Sequence, residues 1–336
     1  MALDIDEDLI EEISSRLDLR EPNREALESL VLELAQHYSV DAKPPPFEAV
    51  IDAATGVGKT YIIAAAIEYL AARGVRDFAV IAPGRTILNK TIANFTPGHP
   101  KSLLGSMMAS PQLITAETFS TPAVRVAMDD DAQTKLYVFT VQSLTAPTTK
   151  QGKKTHEFRE GLGAGFYKHL ASLEDLVVFA DEHHCYFGEV FSAAIRELHP
   201  HAIVGLTATP DPKTPDDQII YRYPLAAAIA EKWVKTPVIV GRRDDRADTL
   251  TKLTDGLALL SYKDDALEAY CIETGNPRVN PVMLLIAKDT AEADDFRDVL
   301  ASHEFDGGKW ADTILLVHSK LKGDGEGEGP RRPGGR

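Results

Sequence analysis

One octapeptide constrains this chain more than any other feature: Ala53-Ala54-Thr55-Gly56-Val57-Gly58-Lys59-Thr60. It follows the short apolar run 49–53 and precedes a helical stretch over 60–73, with Gly74 placed to end it. A strand running through a glycine turn into a helix is the setting in which backbone N–H groups encircle a phosphate. Gly56 and Gly58 let the backbone turn inward, and Thr55 and Val57 complete the loop. The helix beginning near Lys59 adds its positive dipole end. Lys59 is then suited to the β- and γ-phosphates of a nucleotide such as ATP, and the Thr60 hydroxyl to Mg²⁺. The bland alternative is a chance Gly-Lys-Thr at a helix start.

The rest of the chain agrees with a loop of this kind. Apolar runs at 78–82, 136–141, 176–180 and 202–206 predict buried strands, and 86–95 predicts a helix. Strands alternating with helices predict a parallel α/β sheet with helices on both faces. Upstream, Leu9, Ile10, Ile13 and Leu17 mark one helical stripe, and Leu27, Leu30, Val31 and Leu34 mark another. Pro22 fits the first turn of the second helix, and Pro44-Pro45-Pro46 forces an extended linker. Beyond Pro210 a helical segment is expected within 221–233 and another over 257–270. A strand over 281–286, a helix over 290–300 and a strand over 313–317 follow. The Gly/Pro/Arg-rich residues 321–336 lack the apolar content of a packed core.

Composition narrows the field less. The 36 basic and 51 acidic residues give a net charge of −15. That balance favours no nucleic-acid partner, yet leaves room for a basic cleft in an acidic protein. The two cysteines, Cys185 and Cys271, have no metal-ligand spacing. The acidic start lacks the features of a signal peptide, and no apolar run approaches the roughly 20 residues of a membrane span. A cytoplasmic protein with no membrane partner is expected.

Two further motifs close strands. Asp181-Glu182-His183-His184 follows the run 176–180, and Thr207-Ala208-Thr209-Pro210 follows 202–206. Beside a phosphate loop, Asp181 suits a magnesium ligand, and Glu182 suits the group that orients and deprotonates an attacking water. Read alone, the acidic box also fits a metal cluster or a solvated turn. Zinc is disfavoured because adjacent histidines diverge and no second ligand pair follows. His183 is expected to bridge the nucleotide site to Thr207 and Thr209.

The ordered set of A-x-x-G-x-G-K-T, Ala82-Pro83-Gly84-Arg85-Thr86, Thr140-Val141-Gln142-Ser143-Leu144, D-E-H-H and T-A-T-P resembles the first motor domain of superfamily 2 helicases. Within the DEAD/DEAH-like group it resembles the motor (Res) subunit of type III restriction enzymes. The resemblance covers residues 47–240 firmly and 280–319 loosely. It implies a RecA-like P-loop fold, ATP hydrolysis with Mg²⁺, and movement along nucleic acid, duplex DNA in the restriction branch. It assigns phosphate and magnesium roles to Lys59 and Thr60, and magnesium and water-activating roles to Asp181 and Glu182. His183, His184, Thr207, Ala208 and Thr209 take the coupling role. Pro83, Gly84, Arg85, Thr86, Thr140, Gln142 and Ser143 take contacts to the nucleic-acid strand. A methylation or specificity subunit is the partner it suggests.

The implied organisation is a helical cap and proline linker (1–46), a first RecA-like ATP-binding domain (47–240), and a linker with a helix (241–279). A partial second RecA-like unit (280–320) and a tail (321–336) follow. The late Q-x-x-G-R-x-x-R signature that supplies arginine fingers is absent. Stand-alone hydrolysis is therefore expected to be weak, since a finger contributes roughly 10³ to 10⁵ in rate. The chain is expected to be an incomplete reading of a longer motor. Asp211, Asp216 and Asp217 form no recognisable nuclease centre and read as loop residues. Three alternatives stay open: an RNA-directed DEAH-type helicase, a non-catalytic ATP-binding module, and another P-loop enzyme such as a small-molecule kinase.

Overall fold

The computed structural model describes residues 4–140, 164–186, 189–241, 243–244 and 248–317. It divides into two compact units, Met1–Pro237 and Val238–Arg336. In the first, seven strands form one parallel sheet: β1 (Phe47–Ala53), β2 (Asp77–Ala82), β3 (Gln112–Ile114), β4 (Lys135–Thr140), β5 (Val177–Asp181), β6 (Ala202–Thr207) and β7 (Ile219–Tyr223). Their order across the sheet is β3-β4-β2-β5-β6-β1-β7. Residues 77–82, 177–180 and 202–207 are buried throughout, as expected of strands covered on both faces.

Side-chain alternation sorts the core into two layers. On one face Ile51, Phe78, Val80, Phe179, Val204 and Leu206 join the apolar stripes of α1 (Glu7–Leu17), α2 (Glu21–Ala35) and α3 (Lys59–Ala72). On the other, Ala79, Ile81, Phe139, Val178 and Ile203 meet α6 (Ala164–Leu170) and α7 (Glu189–Arg196). Helices therefore cover both faces, which is the doubly covered α/β fold expected from the runs of apolar residues. The helices α1 and α2 share one core with the sheet. Their expected stripes are buried at Ile10, Ile13, Leu17, Leu27, Leu30, Val31 and Leu34.

Two carboxylates tie this core together. The buried Glu68 on α3 accepts from Arg16 Nη2 at 2.7 Å and from the backbone N–H groups of Met108 and Ala109. The buried Asp77 accepts from the Tyr137 hydroxyl at 3.1 Å, and that oxygen also lies 2.8 Å from His169 Nε2. Burial, Lys135 and Asp175 act on Asp77 together, and burial dominates, raising it to about 6.

Several expected elements differ. Residues 221–223 finish strand β7, which the sequence did not announce, and the expected helical segment follows as the short helix α8 (Leu225–Ala230). Strand β3 and helices α4 (Arg85–Asn94) and α5 (Pro122–Met128) complete the first unit. In the second unit, α9 (Thr249–Thr274) and α10 (Thr290–Ala301) form as expected, but 281–286 and 313–317 are not strands. The reason is physical: no neighbouring strand among the described residues offers them a ladder. Val282, Leu284 and Ile286 are consequently 90%, 81% and 84% exposed. The tail 321–336 lies outside the described residues.

Candidate functional site

The site begins where β1 ends. Ala54 N–H donates to the Tyr223 carbonyl on the neighbouring strand at 3.0 Å, and the loop then curls to its glycines. Gly56 and Gly58 sit at φ of +89° and +105°, a region in which other residues are strained. At Gly58 space matters as well: a Cβ there would lie 3.2 Å from Asn23 Oδ1. Helix α3 starts at Lys59, with Tyr61 N–H bonded to the Gly58 carbonyl at 2.8 Å. The loop is thus set at a helix N-terminus, as its spacing predicts.

The first turn of α2 braces that loop. Asn23, 2% exposed, donates from Nδ2 to the Val57 carbonyl at 3.1 Å. Arg20 Nη1 donates to the Gly56 carbonyl at 3.4 Å while its guanidinium lies 4.5 Å from the centre of the Trp233 ring. Sequence reasoning missed both residues. Their only linear signal is position in the helix preceding the loop, and tertiary packing alone reveals their partners.

The sheet order brings the acidic box to the same edge. Strand β6 lies between β5 and β1, and its register sets Leu206 level with both Asp181 and Ile51. The C-terminal ends of β1, β6 and β5 therefore carry the phosphate loop, the threonine motif and the acidic pair side by side. Lys59 Nζ lies 3.4 Å from Glu182 Oε1. Glu182 sits at φ +54°, a left-handed conformation that costs a non-glycine residue about 1–2 kcal/mol. Its N–H donates to Asp181 Oδ1 at 3.1 Å, and its carbonyl accepts from Cys185 N–H at 2.9 Å. Burial, reinforced by Glu182, holds the Asp181 carboxyl above its ordinary range, while Lys59 and Lys90 oppose that rise.

The histidines part ways, and it is His184 that makes the contact with the threonines expected of His183. His184 Nδ1 lies 2.8 Å from Thr207 Oγ1, 3.4 Å from Thr209 Oγ1 and 3.6 Å from Glu182 Oε2. Thr207, fully buried, also accepts from Thr209 N–H at 3.1 Å. His183 instead lies over β6, where a Cβ on Gly205 would stand 2.5 Å from its ring. Burial lowers the His183 pKa, which favours the neutral imidazole. Gly205 lies two residues before Thr207 on the same face of β6, and its missing side chain leaves room for the His183 ring beside the contact of His184 with the threonines.

A cavity of about 410 Å³ joins the phosphate loop to the acidic pair. Thr55, Gly56, Gly58, Lys59 and Thr60 line it with Asp181 and Glu182. The Thr60 hydroxyl and Asp181 carboxylate offer hard oxygen donors in that space, which suits Mg²⁺. Lys90 and Lys101 also line the cavity and carry no motif signal.

The described residues of the segments expected to contact nucleic acid fall on the same sheet edge. Gly84 caps α4 at the end of β2, with its carbonyl accepting from Leu88 N–H at 3.0 Å. Pro83 lies just before it, Arg85 and Thr86 are exposed, and Thr140 closes β4. Gln142 and Ser143 lie outside the described residues. Asp211 accepts from Lys213 N–H and Asp216 pairs with Arg222, so both serve their own turns.

Residues 16–212, more than half of the chain, match the family described as type III restriction enzyme, res subunit. The chain belongs to this family. It is a P-loop member with a parallel α/β sheet, and the family carries a helicase-type ATPase motor domain. Among solved structures it is similar to the Sulfolobus solfataricus SWI2/SNF2 ATPase core in complex with dsDNA, at 12% identity and a TM-score of 0.34. That similarity covers 57% of this chain and 32% of the other, so this chain spans about a third of that structure's length. No curated protein sequence matches it. No helix among the described residues is long and apolar enough to cross a membrane.

Proposed function

We propose that this res-family chain binds and hydrolyses Mg²⁺-ATP as a motor domain that acts on duplex DNA. The observation that carries the reading is the approach of Lys59 to Glu182, 3.4 Å apart, in one cavity with Thr60 and Asp181. In this reading the loop amides and Lys59 hold the β- and γ-phosphates. Glu182 orients water in line with the γ-phosphate and accepts its proton. Thr60 and Asp181 hold the magnesium ion, which supplies charge neutralisation at the phosphates. Contact between Glu182, His184, Thr207 and Thr209 offers a route from the γ-phosphate to the DNA site, with Thr209 at its exposed end.

Arg85, Thr86, Pro83, Gly84 and Thr140 would meet the DNA backbone at the ends of β2 and β4, with Gln142 and Ser143 following in sequence. The restriction-type family makes duplex DNA the preferred nucleic acid and a methylation or specificity subunit the companion. The cytoplasm is the matching compartment. Residues 280–320 are proposed as part of a second RecA-like unit, and full turnover is proposed to need an arginine finger.

Steady-state ATP hydrolysis with duplex DNA, single-stranded DNA or RNA tests the reading. Duplex DNA should stimulate turnover most, and Glu182→Gln should lower it about 100-fold. Unchanged turnover in Glu182→Gln would remove Glu182 from the chemistry. Greater stimulation by RNA would redirect the motor to RNA. ATP binding without turnover under every condition would favour a non-catalytic module.

A further inference from the structure

The nucleotide cavity has a second wall that none of the motifs explains. Ile87, Lys90 and Asn94 line it from α4 at positions i, i+3 and i+7, which form one stripe of that helix. Lys101 and Leu103 line it from the loop that follows. Leu103 N–H donates to the Asn94 carbonyl at 2.8 Å, fastening the loop to the helix end. Two lysines therefore share a cavity with Lys59, Asp181 and Glu182, in a chain whose net charge is −15. General basicity does not explain that local excess.

The charge balance of the bound state gives them a task. ATP brings about four negative charges, and Asp181 and Glu182 add two more. A divalent ion and Lys59 together offset about three of these, which leaves about three unopposed in a partly enclosed space. Lys90 and Lys101 reduce that remainder to about one.

Resting on the nucleotide reading above, we infer that Lys90 and Lys101 are nucleotide-binding residues that hold the polyphosphate tail and set a preference for the triphosphate over the diphosphate. The position of Lys90 on α4 gives that helix two tasks, because its first turn carries Arg85 and Thr86 of the proposed DNA contact. The stripe Ile87-Lys90-Asn94 faces the cavity, and the same helix reaches both ligands.

Calorimetric titration of the full chain with MgATP and MgADP, without nucleic acid, tests this. The double variant Lys90→Ala/Lys101→Ala should lose on the order of tenfold in ATP affinity and about threefold or less in ADP affinity. Lys90→Arg/Lys101→Arg, which keeps both charges, should stay within about threefold of the wild type for ATP. Affinity for duplex DNA in the absence of nucleotide should be unchanged by the alanine pair. An alanine pair that binds ATP as tightly as the wild type, or that loses DNA affinity alone, overturns the inference. Lys59→Ala separates the two levels. If it abolishes ATP binding while the alanine pair does not weaken it, only the lysine wall fails. If the wild type binds no ATP, or Lys59→Ala binds it normally, the nucleotide reading fails and the wall with it.

Discussion

The two units of this chain use similar apolar runs to opposite effect. In Met1–Pro237, runs such as 78–82, 177–180 and 202–206 lie inside a seven-stranded ladder and are buried. In Val238–Arg336, the run 281–286 has equal strand character but no ladder among the described residues, and its apolar side chains stand in water. The buried cluster of the second unit is Leu253, Leu300 and Phe305, with a few partly buried neighbours. An apolar run supplies the wish to be a strand, and a neighbouring backbone decides whether it becomes one. The difference also bears on the candidate site: among the described residues, it is the unit with the ladder that aligns three strand ends on one edge.

The contrast has measurable consequences. Phe179→Ala removes a ring that is 1% exposed at the centre of the sheet, and should cost about 3–5 kcal/mol in chemical denaturation. A cost below about 1 kcal/mol would mean that the sheet core is looser than its burial implies. Gly205→Ala should follow, at about 1–3 kcal/mol, because the new Cβ would meet the His183 ring at 2.5 Å. It should also disturb the Asp181–His184 turn, so ATPase activity should fall more than stability does. Activity retained at the wild-type level would show that His183 moves aside freely.

An effect of at most similar size is expected from pH. Asp77 has its folded pKa raised from 3.8 to about 6, chiefly by burial. The folded chain therefore binds this proton more tightly than the unfolded chain. The resulting stabilisation is complete below about pH 4 and is lost as pH rises through about 6, by at most about 3 kcal/mol. Asp77→Asn should flatten the stability profile between those limits, as measured by urea unfolding at stepped pH. An unchanged profile would assign the dependence to other groups. Smallest of all, Leu284→Ser in the second unit should change stability by no more than about 0.5 kcal/mol, since that side chain is 81% exposed. A loss of several kcal/mol would show that 281–286 is covered in solution.

Much of the first unit was legible in sequence because parallel strands are buried on both faces and read as unbroken apolar runs. Strands β1, β2, β4, β5 and β6 have that character. Strand β3 is only three residues long, and β7 is a half-exposed edge containing Arg222 and two tyrosines, so neither carries the signal. The run 281–286 carries it fully and still forms no strand, because pairing is a tertiary event. At the site, the phosphate loop, acidic box and threonine motif announce themselves through position after a strand. The choice between His183 and His184 does not, since it depends on the missing side chain of Gly205 one strand away. Asn23 and Arg20 act on the loop across more than 30 residues of chain, and Lys90 and Lys101 reach the cavity only through the placement of α4 and its following loop.

The central claim is that the nucleotide binds at the aligned strand ends of the first unit, and amide hydrogen exchange with and without MgATP tests it most directly. Slower exchange is predicted at 54–60, 181–184 and 207–209, with 282–286 unchanged. Protection concentrated in the second unit, or none at the phosphate loop under saturating MgATP, would contradict the account.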